Sequence, residues 1–483
     1  MNTRFFLHLH LQFTVKMCII RDTIPKGGLP MESNEVFSTM DVSPLYRQVR
    51  EEYQISDSYF RNQNVKRGLR NFDGTAVIAG ITKIGSVQGY VIQDGARNPI
   101  PGKLYYRGIS VEDIVEAHRQ NNTFGFEEVS YLLLMGRLPN ASELSLFESI
   151  LAKVRPLPKG FFEDMILRNT SPDIMNMLGR SVLALYAYDE NPDETSPENM
   201  LRQSIELIAR FPSIVANAYM ARRHMFDGKS MYIHNPKEAL TLSENFLRLV
   251  RKDKSYTDEE AKLLDLLLIL HAEHGGGNNS AFVCRALSSS GTDTYSAIAG
   301  AVGSLKGPLH GGANRKVTEM FHDIKAHVRD VEDDEEVRAY LTRILDKEAG
   351  DLSGKIYGLG HAVYTLSDPR AVLLRRFAGQ MAEQKGMQED FRLLEQIETQ
   401  GIDLIMTKKK HEMPMCANVD LYSGLVYSML GIPEVLFTPL FACARIAGWC
   451  AHRIEEVLTG KRLIRPGYQA AIRPREYVPI DQR

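Results

Sequence analysis

Between Thr257 and Leu270 the chain is apolar on almost every face. Leu263, Leu264, Leu266, Leu267, Leu268, Ile269 and Leu270 follow in close succession, leaving no broad polar stripe to meet solvent. A helix of that kind must be wrapped by other elements. Thr257 and Glu260 have the spacing of a capping box, which places its start. The triplet Gly275-Gly276-Gly277 places its end. Helical spacing recurs in blocks almost to Gly460. Phe126 to Met135 reads as one helix, stopped by Gly136 and Pro139. Thr294 to Lys306 reads as another, rich in small residues that let backbones approach closely, as at a packed or subunit interface. Ser43 to Arg70 is charged and amphipathic, the pattern of an exposed helical arm. Only residues 74–108 differ. There Val77, Ile78, Ile81, Thr82, Ile84, Val87, Tyr90, Val91 and Ile92 predict two or three short strands, turning at Gly85, Gly89 and Asp94-Gly95. No period of 20–50 residues repeats, which disfavours a solenoid. The expected fold class is mainly α with a short N-terminal β region.

Composition narrows the function. The chain has 483 residues, 44 % apolar and 24 % charged, with a net charge of −2. That length suggests several domains and a core needing no staples. The near-neutral balance argues against nucleic-acid binding. The chain is read as having no apolar run of ~18–20 residues, so no membrane span is expected. Five scattered cysteines without a CxxC motif argue against a disulfide scaffold or a cysteine zinc site and suit a reducing, cytoplasmic compartment. Residues 1–42 read as an extension without a fold of its own, with Met31 or Met40 as alternative starts. Arg4, Lys16, Arg21 and Lys26 against the single acid Asp22 keep an organellar transit peptide as the alternative.

Four glycine-rich breaks in this helical pattern each present a titratable side chain: His274, His310, His361 and Asp420. Loops on a rigid scaffold are where catalytic groups concentrate. A single histidine at a helix end more often satisfies last-turn carbonyls, and Asp368 before Pro369 reads as a helix cap. His271 and His274 are spaced i, i+3, but HExxH is absent, so no metal is expected. Lys408-Lys409-Lys410 is either a solvated charge run or a polyphosphate contact. The glycine triplet has no following Lys-Ser/Thr and is not a P-loop.

In order and wording, these segments resemble the citrate synthase family. The resemblance rests on Gly307-Pro-Leu-His310-Gly-Gly-Ala-Asn314, Gly358-Leu-Gly-His361 with Asp368-Pro-Arg370, and Asn418-Val-Asp420. Tyr105-Tyr-Arg-Gly108 and Phe126–Gly136 are similar to bacterial-type members, and the likeness runs from about Asp73 to the C-terminus. It implies an acyltransferase that condenses acetyl-CoA with oxaloacetate at the entry to the tricarboxylic acid cycle, without metal or redox cofactor. By resemblance Asp420 is the base, His310 the donor to the enol oxygen, and His361 the donor to the oxaloacetate carbonyl. His274, Arg370, Arg445 and Arg465 would bind oxaloacetate, Arg465 from the second subunit of a homodimer. Tyr357, Gly358 and Lys408, Lys409 or Lys410 would meet coenzyme A. The implied fold is a two-domain helical one: a large domain of 43–314 and 421–470, a small domain of 315–420, a tail from 471 to 483, and a site closed between the domains. Two departures stand out. Gly275-Gly-Gly-Asn-Asn is richer in glycine than many members, and Leu421 stands where an aromatic is expected. The alternatives are 2-methylcitrate synthase, which uses propionyl-CoA, and a catalytically inactive family member serving as a binding protein.

Overall fold

The helix Asp258–His271 begins where its capping box predicts. Thr257 Oγ1 accepts the Glu260 N–H, and the Glu260 carboxylate accepts the Thr257 N–H at 3.3 Å. Residues 41–71, 74–408 and 413–483 are described by a computed structural model. They fall into two units, the chain up to Val77 with Gly467–Arg483, and Ile78–Pro466.

In the first unit the expected arm is two short helices, α1 (Ser43–Glu52) and α2 (Asp57–Asn62). Neither buries a residue, and Leu45, Tyr46, Val49 and Tyr53 are exposed. Arg67 ties the unit locally, pairing with Asp57 at 2.6 Å and lying 4.3 Å over the Phe60 ring. The C-terminal segment carries only a short turn at Ile480–Gln482.

The second unit opens with strands β1 (Gly85–Gln93), β2 (Ala96–Tyr106) and β3 (Ile109–Ser110), an antiparallel sheet in that order. Gly85 starts β1 rather than turning the chain. The register shifts between Gln88 and Tyr90, and Asp94-Gly95, both at positive φ, closes the hairpin. Val77–Ile84 is not strand; the sheet pairing begins at Gly85.

Helices fill the rest: α3 (Val111–Asn121), α4 (Phe126–Met135), α5 (Ala141–Val154), α6 (Ile174–Leu185), α7 (Pro197–Asp227), α8 (Leu242–Val250), α9 (Asp258–His271), α10 (Asn279–Ser288), α11 (Thr294–Lys306), α12 (Ala313–His327), α13 (Asp334–Leu345), α14 (Pro369–Lys385), α15 (Gln388–Lys408), α16 (Val419–Met429) and α17 (Phe437–Thr459). The fold is mainly α, as expected. Helices α9 and α17 form its centre. α9 packs on α8 and α17, while α17 also packs on α7, α10 and α11. The segment Glu434–Thr459 is long and apolar enough to cross a bilayer, contrary to the sequence reading, but 89 % of its apolar window is buried inside the protein. It is a core helix by packing. Helix α11 lies against α6 and α10, where its small residues allow close contact.

Candidate active site

The breaks after α9, α11 and α15 converge with the start of α14 and the middle of α17. His271 is the ordinary case of a helix-end histidine. Its Nδ1–H donates to the Leu267 carbonyl at 2.7 Å. Its own carbonyl accepts Arg445 Nε at 2.7 Å, which joins the end of α9 to α17. His274, three residues on, is different. Its ring meets those of His361 and Tyr364 edge-on, at 5.1 and 5.6 Å between centroids. Its Nε2 is buried with no hydrogen-bond partner. Burial, reinforced by Arg370, His361 and Arg445, holds its pKa well below the usual histidine value, so it is neutral.

Arg445 is fully buried and lies 4.7 Å over the Phe441 ring. Its Nη1 donates to Asn278 Oδ1 at 3.1 Å, and its Nη2 is buried without a partner. Burial and the repulsion of Arg370 pull its pKa down to about 10, against the opposing pull of Glu273. It therefore stays charged at neutral pH. Arg370, in the first turn of α14, is also buried but firmly paired. Asp368 caps that helix through the Arg370 N–H and takes the guanidinium on both oxygens, at 3.0 and 2.7 Å. Burial disfavours the Arg370 charge, but Asp368 outweighs it and raises the pKa above the usual arginine value.

His310 sits half-buried between α11 and α12. Ser280, in the first turn of α10, reaches its Nε2 with the backbone N–H at 3.4 Å and the hydroxyl at 2.9 Å. A backbone N–H can only donate, so the hydrogen-bond network assigns Nε2 as acceptor and puts the ring proton on Nδ1. Burial, with the Arg445 charge, pushes the His310 pKa down to about 4. Trp449 Nε1–H donates to the Ser280 Oγ at 3.0 Å.

His361 is fixed the other way round. Its Nδ1 accepts the Val363 and Tyr364 N–H groups at 3.0 and 3.1 Å, which assigns the proton to Nε2. The ring stacks on Tyr364 at 4.6 Å. Gly358 and Gly360 make this turn at φ +85° and +88°, a region costly for other residues. The turn is zipped to the segment before α16. Gly360 N–H donates to Cys416, Asn418 N–H to Gly358, and Asn418 Nδ2 to Gly360. Asn418 also caps α16 through the Asp420 N–H at 3.0 Å, which sets Asp420 in the first turn. Burial, helped by Asp368 and opposed by Arg370 and Arg445, pushes the Asp420 pKa up to about 6.

Six expected residues thus share one neighbourhood: His274, His310, His361, Arg370, Asp420 and Arg445. Arg465 is exposed in the segment after α17 and joins none of these contacts. Lys408 ends α15 and is paired with both oxygens of Asp346, at 2.8 and 2.6 Å. Lys409 and Lys410 lie outside the described residues. Tyr357 is half-buried, its hydroxyl donating to Asp351 at 2.7 Å, and Gly358 offers backbone at the His361 turn. Sequence reasoning did not single out Ser280, Asn278, Tyr364 or Trp449, and it read Asp368 only as a cap. Among the described residues no three His, Cys, Asp or Glu side chains are grouped as a metal site requires. The arrangement gathers two buried arginines, the imidazoles of His274, His310 and His361, and a carboxyl group whose pKa is pushed up to about 6.

Residues 72–467 match the family model described as citrate synthase, C-terminal domain. The citrate synthase of Deinococcus radiodurans is 36 % identical over 390 residues, 80 % of this chain and 94 % of that protein. The 2-methylcitrate synthase of Shewanella oneidensis is 33 % identical, covering 79 % of this chain and 92 % of that one. Among solved structures, the Thermoplasma acidophilum citrate synthase in complex with carboxymethyl coenzyme A and oxaloacetate aligns with a TM-score of 0.70 at 27 % identity, over 84 % of this chain and 97 % of that one. The Thermotoga maritima citrate synthase aligns with a TM-score of 0.67 at 30 % identity over the same shares.

Proposed function

The chain belongs to the citrate synthase family and is an acyltransferase of that type, and we propose that it condenses acetyl-CoA with oxaloacetate and hydrolyses the resulting citryl-CoA to citrate and CoA. One observation carries this reading. Two buried nitrogens without partners, Arg445 Nη2 and His274 Nε2, lie in electrostatic range of one another, and Arg445 also of Asp420, whose pKa is pushed up to about 6. The donors suit a small dianion, since guanidinium forks bind carboxylates on two oxygens. The carboxylate suits removal of a weakly acidic proton at neutral pH.

In the proposed cycle Asp420 takes a proton from the thioester methyl. The electron pair moves onto the carbonyl oxygen, which accepts the His310 Nδ1–H. A neutral donor is closer in acidity to an enol than imidazolium is. The pair then forms the bond to the oxaloacetate keto carbon, whose oxygen gains the electrons and accepts the His361 Nε2–H. Water adds to the citryl thioester carbonyl and the C–S bond breaks; one water proton leaves with CoA as its thiol, the other is lost from the new carboxyl group, and the citrate hydroxyl takes up the proton that Asp420 removed. Each such donor is worth roughly 10²–10³ in rate. The chemistry needs no metal or redox partner.

We further propose a homodimer in which Arg465 completes the site of the partner, and closure of a 315–420 domain over 43–314 and 421–470 to exclude water. The exposed Arg465 and the exposed apolar side chains of α1 support the first. The breaks that carry His310 and Asp420, near the two crossings, support the second. Coenzyme A contact at Tyr357, Gly358 and the lysine run belongs to the same reading. The buried free thiols of Cys284, Cys416, Cys443 and Cys450 support a cytoplasmic setting.

Propionyl-CoA as substrate, giving 2-methylcitrate, is the second reading. It is favoured by the Shewanella relative and by Leu421, fully buried against Gly358 in place of an aromatic. One methylene is worth only ~1–3 kcal/mol, so both acyl groups must be tried. Thiol release with oxaloacetate is expected to favour acetyl-CoA and to vanish in Asp420→Ala. A propionyl preference moves the assignment to the second reading. Release with neither substrate from folded protein overturns both.

A further inference from the structure

Beside the dianion pocket lies a second polar network that the mechanism above does not use. Glu273, the residue before His274, and His452 of α17 are both completely buried. His452 Nε2 donates to Glu273 Oε1 at 2.9 Å. Its Nδ1 faces Arg285 Nη1 at 3.0 Å, and arginine can only donate, so Nδ1 accepts and Nε2 is the donor. Arg285 is itself held by Glu455 at 2.7 Å and Glu456 at 3.0 Å. The other end of the network reaches the site. Glu273 Oε1 also accepts the N–H of Gly275, at φ +81°, so its carboxylate brackets the turn that carries His274. Its Oε2 is buried without a partner.

The two pocket arginines are balanced differently. Arg370 has Asp368 on both oxygens. Among the described residues no carboxylate is in contact with Arg445; its direct acceptors are the His271 carbonyl and Asn278 Oδ1. Glu273 is the carboxylate that most favours its charge, acting without contact. A direct partner would occupy the Arg445 fork, whereas a buried anion at a distance offsets the charge and leaves Nη2 for a ligand.

We propose that Glu273 and His452 are positioning residues for the oxaloacetate half of the site. Glu273 sets the His274 turn and supplies the counter-charge of Arg445, and His452, anchored by Arg285, fixes the Glu273 carboxylate. This rests on the functional reading above.

Glu273→Gln and His452→Gln test it, each compared with the wild type for both KM values, kcat and the thermal stabilisation given by oxaloacetate alone. Glu273→Gln is expected to raise KM for oxaloacetate at least tenfold and to abolish most of the oxaloacetate thermal shift. KM for the acyl-CoA should stay within about twofold. His452→Gln should do the same to a smaller extent, and the double variant should be no worse than Glu273→Gln alone, as for one coupled unit. Equal rises in both KM values, an unchanged oxaloacetate KM, or additive effects would overturn the inference. If Glu273→Gln does not fold, the selectivity of His452→Gln decides. A wild type without oxaloacetate-dependent thiol release removes the functional reading, and this inference with it; an active wild type with unselective variants removes the inference alone.

Discussion

At the scale of single residues, the site runs on two opposite shifts with one cause. Burial disfavours charge, so it raises the Asp420 carboxyl to about 6 and lowers the His310 imidazole to about 4. Between those values His310 is already neutral while Asp420 is still becoming a base. The acid limb of kcat/KM is therefore expected near pH 6, activity falling as pH drops through it, with no second fall until near pH 4. The same shift has a stability consequence. A folded pKa above the unfolded value means that ionising Asp420 costs folding free energy, about 1–3 kcal/mol for this shift. That cost is present above pH 6 and absent below about pH 4, where both states are protonated. Asp420→Asn should thus be inactive, yet melt higher than the wild type at pH 8 and the same at pH 4; equal melting at both would refute the shift. His310 and His361 were legible in the sequence because each follows a glycine break, His274 because it precedes one, and Asp420 because Asn418 announces a helix start. Ser280 and Glu273 were not. Their partners, His310 and His452, stand 30 and 179 residues away, and only the packed fold brings them within hydrogen-bond reach.

At the scale of elements, legibility followed locality. The capping box of α9, the glycine stop of α4 at φ +83° and the Asp368–Pro369 start of α14 rest on side chains within four residues of the backbone they serve, and all three stand as expected. The short β region stands where it was expected, with its hairpin at Asp94-Gly95; only Val77–Ile84 was read into it wrongly, because strand propensity without a pairing partner says little. The same holds for α17, whose apolar length reads alike in a core and in a bilayer until its packing is known. Helix α17 approaches the end of α9 through Gly448, where a Cβ would lie 2.5 Å from both the Ala272 carbonyl oxygen and Glu273 Oε2. One contact is backbone and cannot yield. Gly448→Ala should therefore push the helices apart, with a loss of about 1–3 kcal/mol for overpacking. Because Arg445 and Trp449 flank this contact on the same helix, oxaloacetate binding should weaken more than the melting temperature alone accounts for. Wild-type affinity in a destabilised Gly448→Ala protein would show that α17 can shift without moving the site.

At the scale of the molecule, what a single chain withholds is the ligand set itself. Six polar groups gather in one neighbourhood, but Arg465 stands exposed, and a third arginine for the dianion has to be tested as a contribution from a second copy. Sequence order alone cannot tell the two cases apart, since cis and trans arginines look identical in one dimension; the second-subunit role of Arg465 was implied only by the family resemblance. Complementation can. If the proposed homodimer forms, Arg465→Ala and Asp420→Ala are each expected to be inactive on their own. If Arg465 acts across the interface, a mixed dimer has one site with both residues intact and one with neither. Random exchange makes about half the dimers mixed, so about a quarter of wild-type activity should return on co-refolding or co-expression. If Arg465 acts within its own chain, both sites of every mixed dimer lack one residue and no activity returns. The prediction therefore separates a shared site from a self-sufficient one by a rate measurement alone, with purified single variants as the zero.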